Sequence, residues 1–343
     1  MKILYLGKND EKLAASAMCY LRHALAKIED VAWYGPGYGN FRREKFLHIL
    51  EVVQKRFNFE PIIELLNYLT TPSRDIFRII EQIYGKDEPD FIIQDVYWPP
   101  CYWKNLDKVK IPKAIIWGDL HHDPLGSVVY VNQNKFDLVL FVYKNSPLRT
   151  IYSDRTNCPS TWLPWSVNTN VFKDYGLERK YDVTCLGSMN PYVYPMRAKM
   201  VDVLSRRSDI NFFTQKHPGY GWNLDPKKHL IRENYARVIS QSKIFAFDTG
   251  IFNGALIKFF EGMACNTLVM APMPYDGEEL HFEPGYNFVD INEHNFLENI
   301  LYYLKHEDER LEIAKRGYET VRKYHTVEIR AKQLVDSLKK IAK

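Results

Sequence analysis

An acidic residue stands inside an apolar helical segment, KFFEGMACNTLVMAP, which spans residues 258–272. Burying the Glu261 carboxylate is costly unless a partner satisfies it. The turn before this helix contains Asn253 and Gly254, and backbone N–H groups at a helix N-terminus suit a diphosphate. From about two turns further along the chain, Glu261 can accept hydrogen bonds from two vicinal hydroxyls, such as those of a ribose. The alternative is an ordinary helix on which the Glu261 side chain extends to solvent or pairs with Lys258.

A second group of chemistry-bearing side chains lies in DLHHDP, residues 119–124, directly after the apolar run KAIIWG. Asp119, His121 and His122 can act as a general base for a hydroxyl or contact a substrate. We favour Asp119 and His122 as the pair. A metal site is the weakest interpretation, because adjacent positions rarely converge on one ion and no second cluster accompanies them. A structural, hydrogen-bonded loop is the remaining alternative.

An acidic residue at the end of the apolar run FIIQDV and aromatic residues directly after it lie in the segment QDVYWPPCYW at 94–103. Asp95, Tyr97 and Trp98 can stack against a sugar and hydrogen-bond to it. Both this segment and DLHHDP come directly after predicted strands, so we expect them at the carboxyl ends of a sheet, where ligands bind in open α/β folds. The alternative for QDVYWPPCYW is aromatic packing in which a proline starts a helix.

Short apolar runs that alternate with longer amphipathic stretches must position these groups, and this alternation predicts parallel sheets covered by helices on both faces. The segment 158–179 is rich in Pro, Asn, Ser and Trp and indicates a linker. The charged tail, 293–343, is predicted to be helical in up to three pieces. The predicted strands before the linker are 2–7, 31–35, 91–96, 113–118 and 136–143. Those after it are 181–188, 210–215, 243–249, 267–272 and 286–291.

The composition of the chain excludes several classes of protein. A length of 343 residues suggests two domains. A net charge of +4 is too weak for a dedicated nucleic-acid binder. Five cysteines without a CxxC pair indicate neither a zinc site nor a disulfide framework and favour a reducing cytoplasm. No run of about 18 apolar residues exists, and the N-terminal MKILYLG is too short and too quickly polar for a signal peptide.

Three segments resemble the motifs of one enzyme family, in that family's order. NGALIKFFEGMACNTLVMAP, at 253–272, is similar to the donor-binding signature of GT-B glycosyltransferases, and PYDGEELHFEPGYNFVDI, at 274–291, continues it. LPWSVNTNVFK, at 163–173, is similar to the segment with which the family enters its second domain. The likeness is greatest to the group 1 and spore-maturation-protein-type branch.

This resemblance implies an α/β GT-B fold, in which two Rossmann-like domains face each other across a cleft and a C-terminal helix crosses back. The implied parts are an acceptor-side domain at 1–165, a linker at 166–179, a nucleotide-sugar-binding domain at 180–323, and a helix at 324–343 that packs on the first domain. The implied activity is metal-independent transfer of a sugar from a UDP- or GDP-linked donor, with no cofactor besides this co-substrate.

The same resemblance implies roles in donor binding. Glu261 would hold the ribose hydroxyls, and the backbone at Gly254 and Ala255 would meet the diphosphate. Asn253 stands where the family has the first of two glutamates. The other implied contacts are Gly187 and Ser188 along the phosphates, Arg197 or Lys258 against the leaving diphosphate, and His217 at the nucleotide. For Arg197 and Lys258 the alternative is a solvated helix face, and for His217 it is an ordinary turn.

The implied acceptor is a glycan or a lipid-linked sugar. The stretch FRREKFLHILEVVQKRF, at 41–57, predicts a basic amphipathic helix that can rest on an anionic membrane; the alternative is a core-facing helix with a basic outer face. We therefore expect a cytoplasmic protein, with peripheral contact at the inner membrane face as an option. The alternative function, which Asn253 keeps open, is a catalytically idle protein of the same fold that recognises glycans or nucleotides or serves in assembly.

Overall fold

The computed structural model describes residues 1–9, 17–35, 38, 74–96, 103–118, 123–147, 149, 154–219, 224–225 and 228–342. The predicted basic helix at 41–57 lies outside these residues. Within the described part of the chain, no helix is both long enough and apolar enough to cross a bilayer. Five predicted site residues also lie outside the described ranges, namely Asp119, His121, His122, Tyr97 and Trp98.

The first half of the chain forms a parallel sheet of six strands in the order β2-β1-β3-β4-β5-β6. Its register is set by pairs such as Ile93 with Tyr5 on one side and with Ala114 on the other. β4 is buried at every position, which explains why its sequence KAIIW is apolar almost throughout. The strands are β1 (Lys2–Leu6), β2 (Asp30–Tyr34), β3 (Phe91–Val96), β4 (Lys113–Trp117), β5 (Leu138–Phe141) and β6 (Ser160–Trp162).

β6 lies inside the segment 158–179, for which the sequence predicts a linker, and it is the strand that this prediction misses. It has three residues, all of them half-buried, so neither an apolar run nor an alternating pattern marks it. Val139 N donates to Pro159 O at 2.9 Å, and Leu163 N donates to Phe141 O at 2.8 Å. These bonds fix β6 beside β5 at the edge of the sheet, where a flanking proline is tolerated.

The second half forms a parallel sheet of five strands in the order β11-β10-β9-β7-β8. Asn266, two residues before β10, has a φ of 53°, which confirms the predicted break between helix and strand at this residue. Together the two sheets confirm the predicted α/β architecture. The strands are β7 (Tyr181–Gly187), β8 (Phe212–Lys216), β9 (Ser242–Ala246), β10 (Leu268–Ala271) and β11 (Val289–Asp290).

Helices cover both sheets. Asp75 accepts a hydrogen bond from Phe77 N and caps α2, and Thr326 accepts one from Ile329 N and caps α9. The predicted helical tail is confirmed and consists of α7, α8 and α9. The described helices are α1 (Ala17–Leu25), α2 (Ile76–Tyr84), α3 (Pro124–Gln133), α4 (Pro195–Ser205), α5 (Arg232–Ser240), α6 (Ile257–Ala264), α7 (Phe296–Lys305), α8 (Glu307–Tyr324) and α9 (Val327–Lys339).

The last helix, α9, crosses back and packs against α1 of the first half, as predicted. Its Leu334 and Leu338 are fully buried, in a core that contains residues of both halves. Gln333 Nε2 donates to Trp162 O at 3.0 Å and ties the helix to β6. The crossing helix therefore joins the two sheets into one packed molecule, whereas the domain boundaries at 165, 179 and 323 stay predictions.

Candidate functional site

Two cationic side chains converge on Gly187, the last residue of β7. Gly187 has a φ of 126°, a backbone conformation that residues with side chains rarely adopt. A β-carbon added there would lie 2.8 Å from Arg197 Nη1 and 3.2 Å from Lys258 Nζ. The glycine therefore lets a guanidinium and an ammonium approach the carboxyl end of β7 together.

Arg197 is fixed by its surroundings, with only 1% of its surface exposed, so it does not lie on a solvated helix face. Its Nη1 donates to Ser188 O at 2.9 Å, and its Nη2 donates to Asp248 O at 2.7 Å. The Asp248 carboxylate also accepts the backbone N–H groups of Met196 and Arg197, at 3.0 and 3.2 Å, and thereby caps α4. The ring of Tyr194 lies 3.9 Å from the guanidinium carbon. The cation is thus in place before a ligand binds.

Lys258 and Glu261 lie three residues apart on α6, so they share one face of the helix, and both interact with Tyr235. Lys258 Nζ lies 3.0 Å from the Tyr235 hydroxyl oxygen and donates to it. The Tyr235 hydroxyl in turn lowers the pKa of the Glu261 carboxyl through a side-chain hydrogen bond. Among the described residues no direct salt bridge joins Lys258 to Glu261, although each charge shifts the pKa of the other.

The electrostatics of these groups favour an anionic ligand. Burial raises the pKa of the Glu261 carboxyl, against the opposing influence of Lys258 and Tyr235. Burial lowers the pKa of the Lys258 ammonium, and the neighbouring Arg197 lowers it further. Within the described ranges, neither Arg197 nor Lys258 forms an ion pair with a carboxylate. Glu261 partly offsets this by raising the pKa of Lys258, and a diphosphate bound at Gly187 would add negative charge close to both cations.

His217, directly after β8, lies within the electrostatic influence of the same two cations. Its Nδ1 accepts a hydrogen bond from Gly219 N at 3.1 Å, so in the neutral ring the proton is on Nε2. Burial, followed by Lys258 and Arg197, lowers the pKa of His217 to about 4. The structure thus places the His217 imidazole near the two cations, and its contact with a nucleotide stays a prediction.

The turn between β9 and α6 places Gly254 and Ala255 at the start of the helix. No side chain caps α6 at Leu256, so its first backbone N–H groups can serve a ligand. Gly254 lies against the first half of the chain, since an added β-carbon would be 2.7 Å from Tyr143 Cε1. Ala255 is buried. This turn therefore lies between the two halves of the molecule.

Asn253, in the same turn, has its side-chain amide engaged within the protein. Its Oδ1 accepts from Thr249 Oγ1 at 2.7 Å, and its Nδ2 donates to Met273 O at 3.0 Å. Both polar atoms of the amide therefore face protein groups. The donor contact implied for Asn253 stays a prediction, and the geometry gives its side chain a structural task.

Asp95 is the one predicted acceptor-side residue that lies within the described ranges. Its carboxylate pairs with Arg22 Nη1 at 2.9 Å, and both side chains are almost fully buried. A β-carbon on Gly7 would lie 2.3 Å from Asp95 Oδ1, so the carboxylate fills the space at the end of β1. Asp95 is therefore part of a buried ion pair at the carboxyl ends of β1 and β3, and its contact with a sugar stays a prediction.

Sequence reasoning missed three residues that organise this site. Tyr235 lies in α5 and is one of 23 tyrosines, so its type alone carries no signal. Tyr143 follows β5 in the other half of the chain. Asp248 stands in the segment FDTG, directly before a glycine turn. A carboxylate in that place is the one signal that could have identified a helix cap from the sequence.

Comparison with known proteins places this geometry in context. Residues 195–336 match the family model described as glycosyl transferase-like. A sucrose-phosphate synthase from Thermosynechococcus elongatus has a TM-score of 0.65 at 14% identity, with 99% of both chains covered. The Anabaena protein HepE in complex with UDP has a TM-score of 0.61 at 14% identity, over 99% of this chain and 100% of HepE.

HepE has also been solved with UDP-glucose, where the TM-score is 0.60. A glycosyltransferase from Rickettsia africae has a TM-score of 0.61 at 12% identity, over 100% of this chain and 98% of its own. A comparison with curated proteins gives no match. At such identities the solved structures establish a shared fold.

Proposed function

We propose that the protein transfers a hexose from a UDP-linked donor to a glycan or a lipid-linked acceptor, because the chain has the GT-B fold and residues 195–336 match the glycosyl transferase-like family model. The observation that carries this proposal is the convergence of Arg197 and Lys258 on Gly187, with the buried Glu261 further along α6. The complexes of HepE with UDP and UDP-glucose support uracil as the base of the donor. A lipid-linked acceptor would bring this protein to the cytoplasmic face of the membrane.

In the proposed reaction the bond between the anomeric carbon and the diphosphate oxygen breaks, and the acceptor oxygen forms a new bond to that carbon. The departing diphosphate gains negative charge, which Arg197, Lys258 and the N-terminal N–H groups of α6 stabilise. Two fixed cations can do what a divalent metal does elsewhere, so we propose metal-independent transfer. The acceptor proton goes to a base, for which Asp119 and His122 are the proposed pair.

Glu261 is proposed to hold the ribose. An ionised carboxylate can accept both ribose hydroxyls, and bonds of this kind are stronger in a buried site than in water. Burial alone favours the protonated acid, whereas Lys258 and Tyr235 favour the ionised form. The arrangement of lysine, tyrosine and glutamate therefore prepares a carboxylate for hydroxyl groups beside a cation for phosphate.

Thermal unfolding with UDP, GDP, CMP and dTDP tests the donor site. We expect UDP to raise the Tm most. Glu261→Gln keeps the size of the side chain but loses the charged hydrogen bonds, worth about 1.5–3 kcal/mol, so the affinity for UDP should fall about 10- to 100-fold. Glu298→Gln, on the exposed face of α7, is the matched control and should retain the wild-type shift. If none of the four nucleotides raises the Tm at millimolar concentration, the proposal is wrong.

Release of UDP from UDP-glucose tests catalysis. We expect release to accelerate when a suitable glycan or lipid-linked acceptor is added, and to be unchanged by EDTA. Loss of transfer in EDTA that magnesium or manganese restores would contradict the metal-independent mechanism. A protein that binds UDP-glucose but releases no UDP with any acceptor would instead be the catalytically idle binding protein.

A further inference from the structure

The turn before α6 is fastened to the segment after β10 through Asn253. Besides the two side-chain bonds to Thr249 and Met273, its backbone oxygen accepts from Tyr275 N at 3.0 Å. Its φ is 42°, a left-handed conformation that asparagine adopts more readily than most residues. The side chain and the backbone of Asn253 therefore work together to hold this turn.

The segment after β10 is itself fastened to the first half of the chain. Asp276 is 1% exposed, and its carboxylate accepts the backbone N–H groups of Lys144 at 2.9 Å and Asn145 at 2.6 Å. Lys144 Nζ and Asn145 Nδ2 both donate to Glu279 Oε1 at 3.0 Å. A buried carboxylate with two backbone donors is a strong attachment. Residues 144–145, after β5, thus hold the segment to which Asn253 is bonded.

A direct contact completes this connection. Gly254 packs against the ring of Tyr143, whose hydroxyl accepts from Trp165 Nε1 at 3.1 Å. The turn before α6 therefore contacts residues 143–145 in two ways. Gly254 packs directly on Tyr143, and Asn253 is bonded to Met273 and Tyr275, whose neighbour Asp276 binds residues 144–145.

We propose that Asn253 is a positioning residue that holds the donor-binding turn against the first half of the chain and makes no contact with the donor sugar. This inference rests on the proposed function, because it concerns the same nucleotide-sugar site. A carboxylate at position 253 would set an oxygen opposite the Met273 carbonyl and would lack the Nδ2 donor. The bond to Met273 therefore requires an amide at this position.

The proposal predicts a specific pattern of binding. The turn that Asn253 holds carries the backbone groups for the diphosphate, which UDP and UDP-glucose share. Disturbing Asn253 must therefore weaken both ligands by the same factor. A residue that contacted the sugar would instead affect UDP-glucose alone.

Calorimetric titration of UDP and UDP-glucose tests this pattern. Asn253→Asp replaces the Nδ2 donor with an acceptor, and we expect the Kd of both ligands to rise by at least about tenfold. Thr249→Val is nearly isosteric and removes one hydrogen bond, so both Kd values should rise about 2- to 10-fold. This milder variant keeps the test decisive if Asn253→Asp does not fold. Asn170→Asp, at an exposed position, is the control and should leave both values unchanged.

Equal weakening of the two ligands supports the positioning role. A rise in the Kd of UDP-glucose with unchanged binding of UDP would overturn it, because Asn253 would then contact the sugar. Unchanged binding of both ligands in both variants would overturn it as well. If the wild-type protein binds neither ligand, the proposed function itself is wrong and this inference falls with it, so the two failures are distinguishable.

Discussion

At the scale of single residues, the candidate site combines the buried charges of Arg197 and Glu261 with the half-buried Lys258 before any ligand binds. Arg197 compensates for its burial with two backbone carbonyls and the ring of Tyr194. Lys258 has a single hydroxyl partner, Tyr235, and its positive neighbour Arg197 opposes its charge. Since an anion at Gly187 would favour the charged form of Lys258, binding of the donor and protonation of this lysine must be linked.

The protonation of Lys258 is expected to set the alkaline limit of UDP binding. Burial and Arg197 lower its pKa from 10.5, so the ammonium loses its proton below that pH, and the affinity for UDP should decline over the same range. Lys258→Arg introduces a guanidinium that stays charged. We expect this variant to bind UDP more weakly at neutral pH but without the alkaline decline. Titrations between about pH 6 and pH 10 provide the measurement.

Lys199→Arg, at an exposed position of α4, is the control for this experiment and should decline with pH as the wild-type protein does. An alkaline decline that persists unchanged in Lys258→Arg would mean that another group sets the alkaline limit of UDP binding.

At the acid end, the raised pKa of Glu261 predicts that the affinity for UDP falls as the pH falls through the range above 4.5, because a protonated carboxyl is a weaker acceptor for ribose hydroxyls.

At the scale of elements, the end of β7 determines whether two helices can deliver their cations to one place. Gly187→Ala would bring a β-carbon within 2.8 Å of Arg197 Nη1 at a φ of 126°. We expect a loss of stability of about 1–3 kcal/mol from backbone strain. Because both cations must also move, the affinity for UDP should fall about tenfold or more. Urea unfolding and UDP titration measure the two effects separately.

Gly176→Ala is the matched control for the strain at Gly187. Gly176 also has a positive φ, of 63°, but an added β-carbon there has nothing within 4 Å. This variant should lose stability and keep its affinity for UDP. If both alanine variants bind UDP as the wild-type protein does, the approach of the cations to Gly187 has no part in binding.

The sequence predicted those elements whose own residues make them recognisable. β4 is apolar over nearly its whole length, and Asn266 marks the chain reversal before β10 because asparagine tolerates a positive φ. β6 escaped prediction since three half-buried residues cannot establish a period. An apolar run therefore suffices to predict even the two-residue edge strand β11, whereas β6, which has no such run, depends on tertiary pairing alone.

Local residue patterns alone reveal the candidate site only where the chain itself is unusual, whereas the resemblance to a family pointed to Gly187, Arg197 and Lys258. Glu261 is visible because an acid is out of place in an apolar helix. Tyr235 and Asp248 were not visible, because they reach the site from α5 and from the end of β9. The task that the structure gives to Asn253 depends on where tertiary folding brings the carbonyl of Met273. Residues that become neighbours only in the folded structure show no characteristic spacing in the sequence.

At the scale of the whole molecule, the segment after β6 is joined to the start of α9 along a seam formed by Val167, Leu280, His325 and Val327. Val167 N donates to His325 O at 3.0 Å, and Val327 N donates to Val167 O at 3.1 Å. The His325 ring is held on both nitrogens, with Nδ1 at 3.1 Å from Arg330 Nη2 and Nε2 at 2.9 Å from Leu280 O. An arginine can only donate, so Nδ1 accepts and Nε2 carries the proton. The seam is therefore built around a neutral histidine.

Protonation of His325 is expected to weaken this seam in acid. Burial lowers its pKa to about 3, and the neighbouring Arg330 and His281 lower it as well. An unfolded chain binds this proton below about pH 6.5, whereas the folded chain does not, so the free energy of unfolding must decrease as the pH falls from that value. Glutamine at position 325 can donate to Leu280 without titrating. His325→Gln should therefore be less stable at neutral pH but lose less stability between about pH 7 and pH 5.

Urea unfolding at both pH values measures this difference. His294→Gln, whose side chain is 82% exposed, is the control and should show the same dependence of stability on pH as the wild-type protein. Equal slopes for His325→Gln and the wild-type protein would assign the acid sensitivity to other groups.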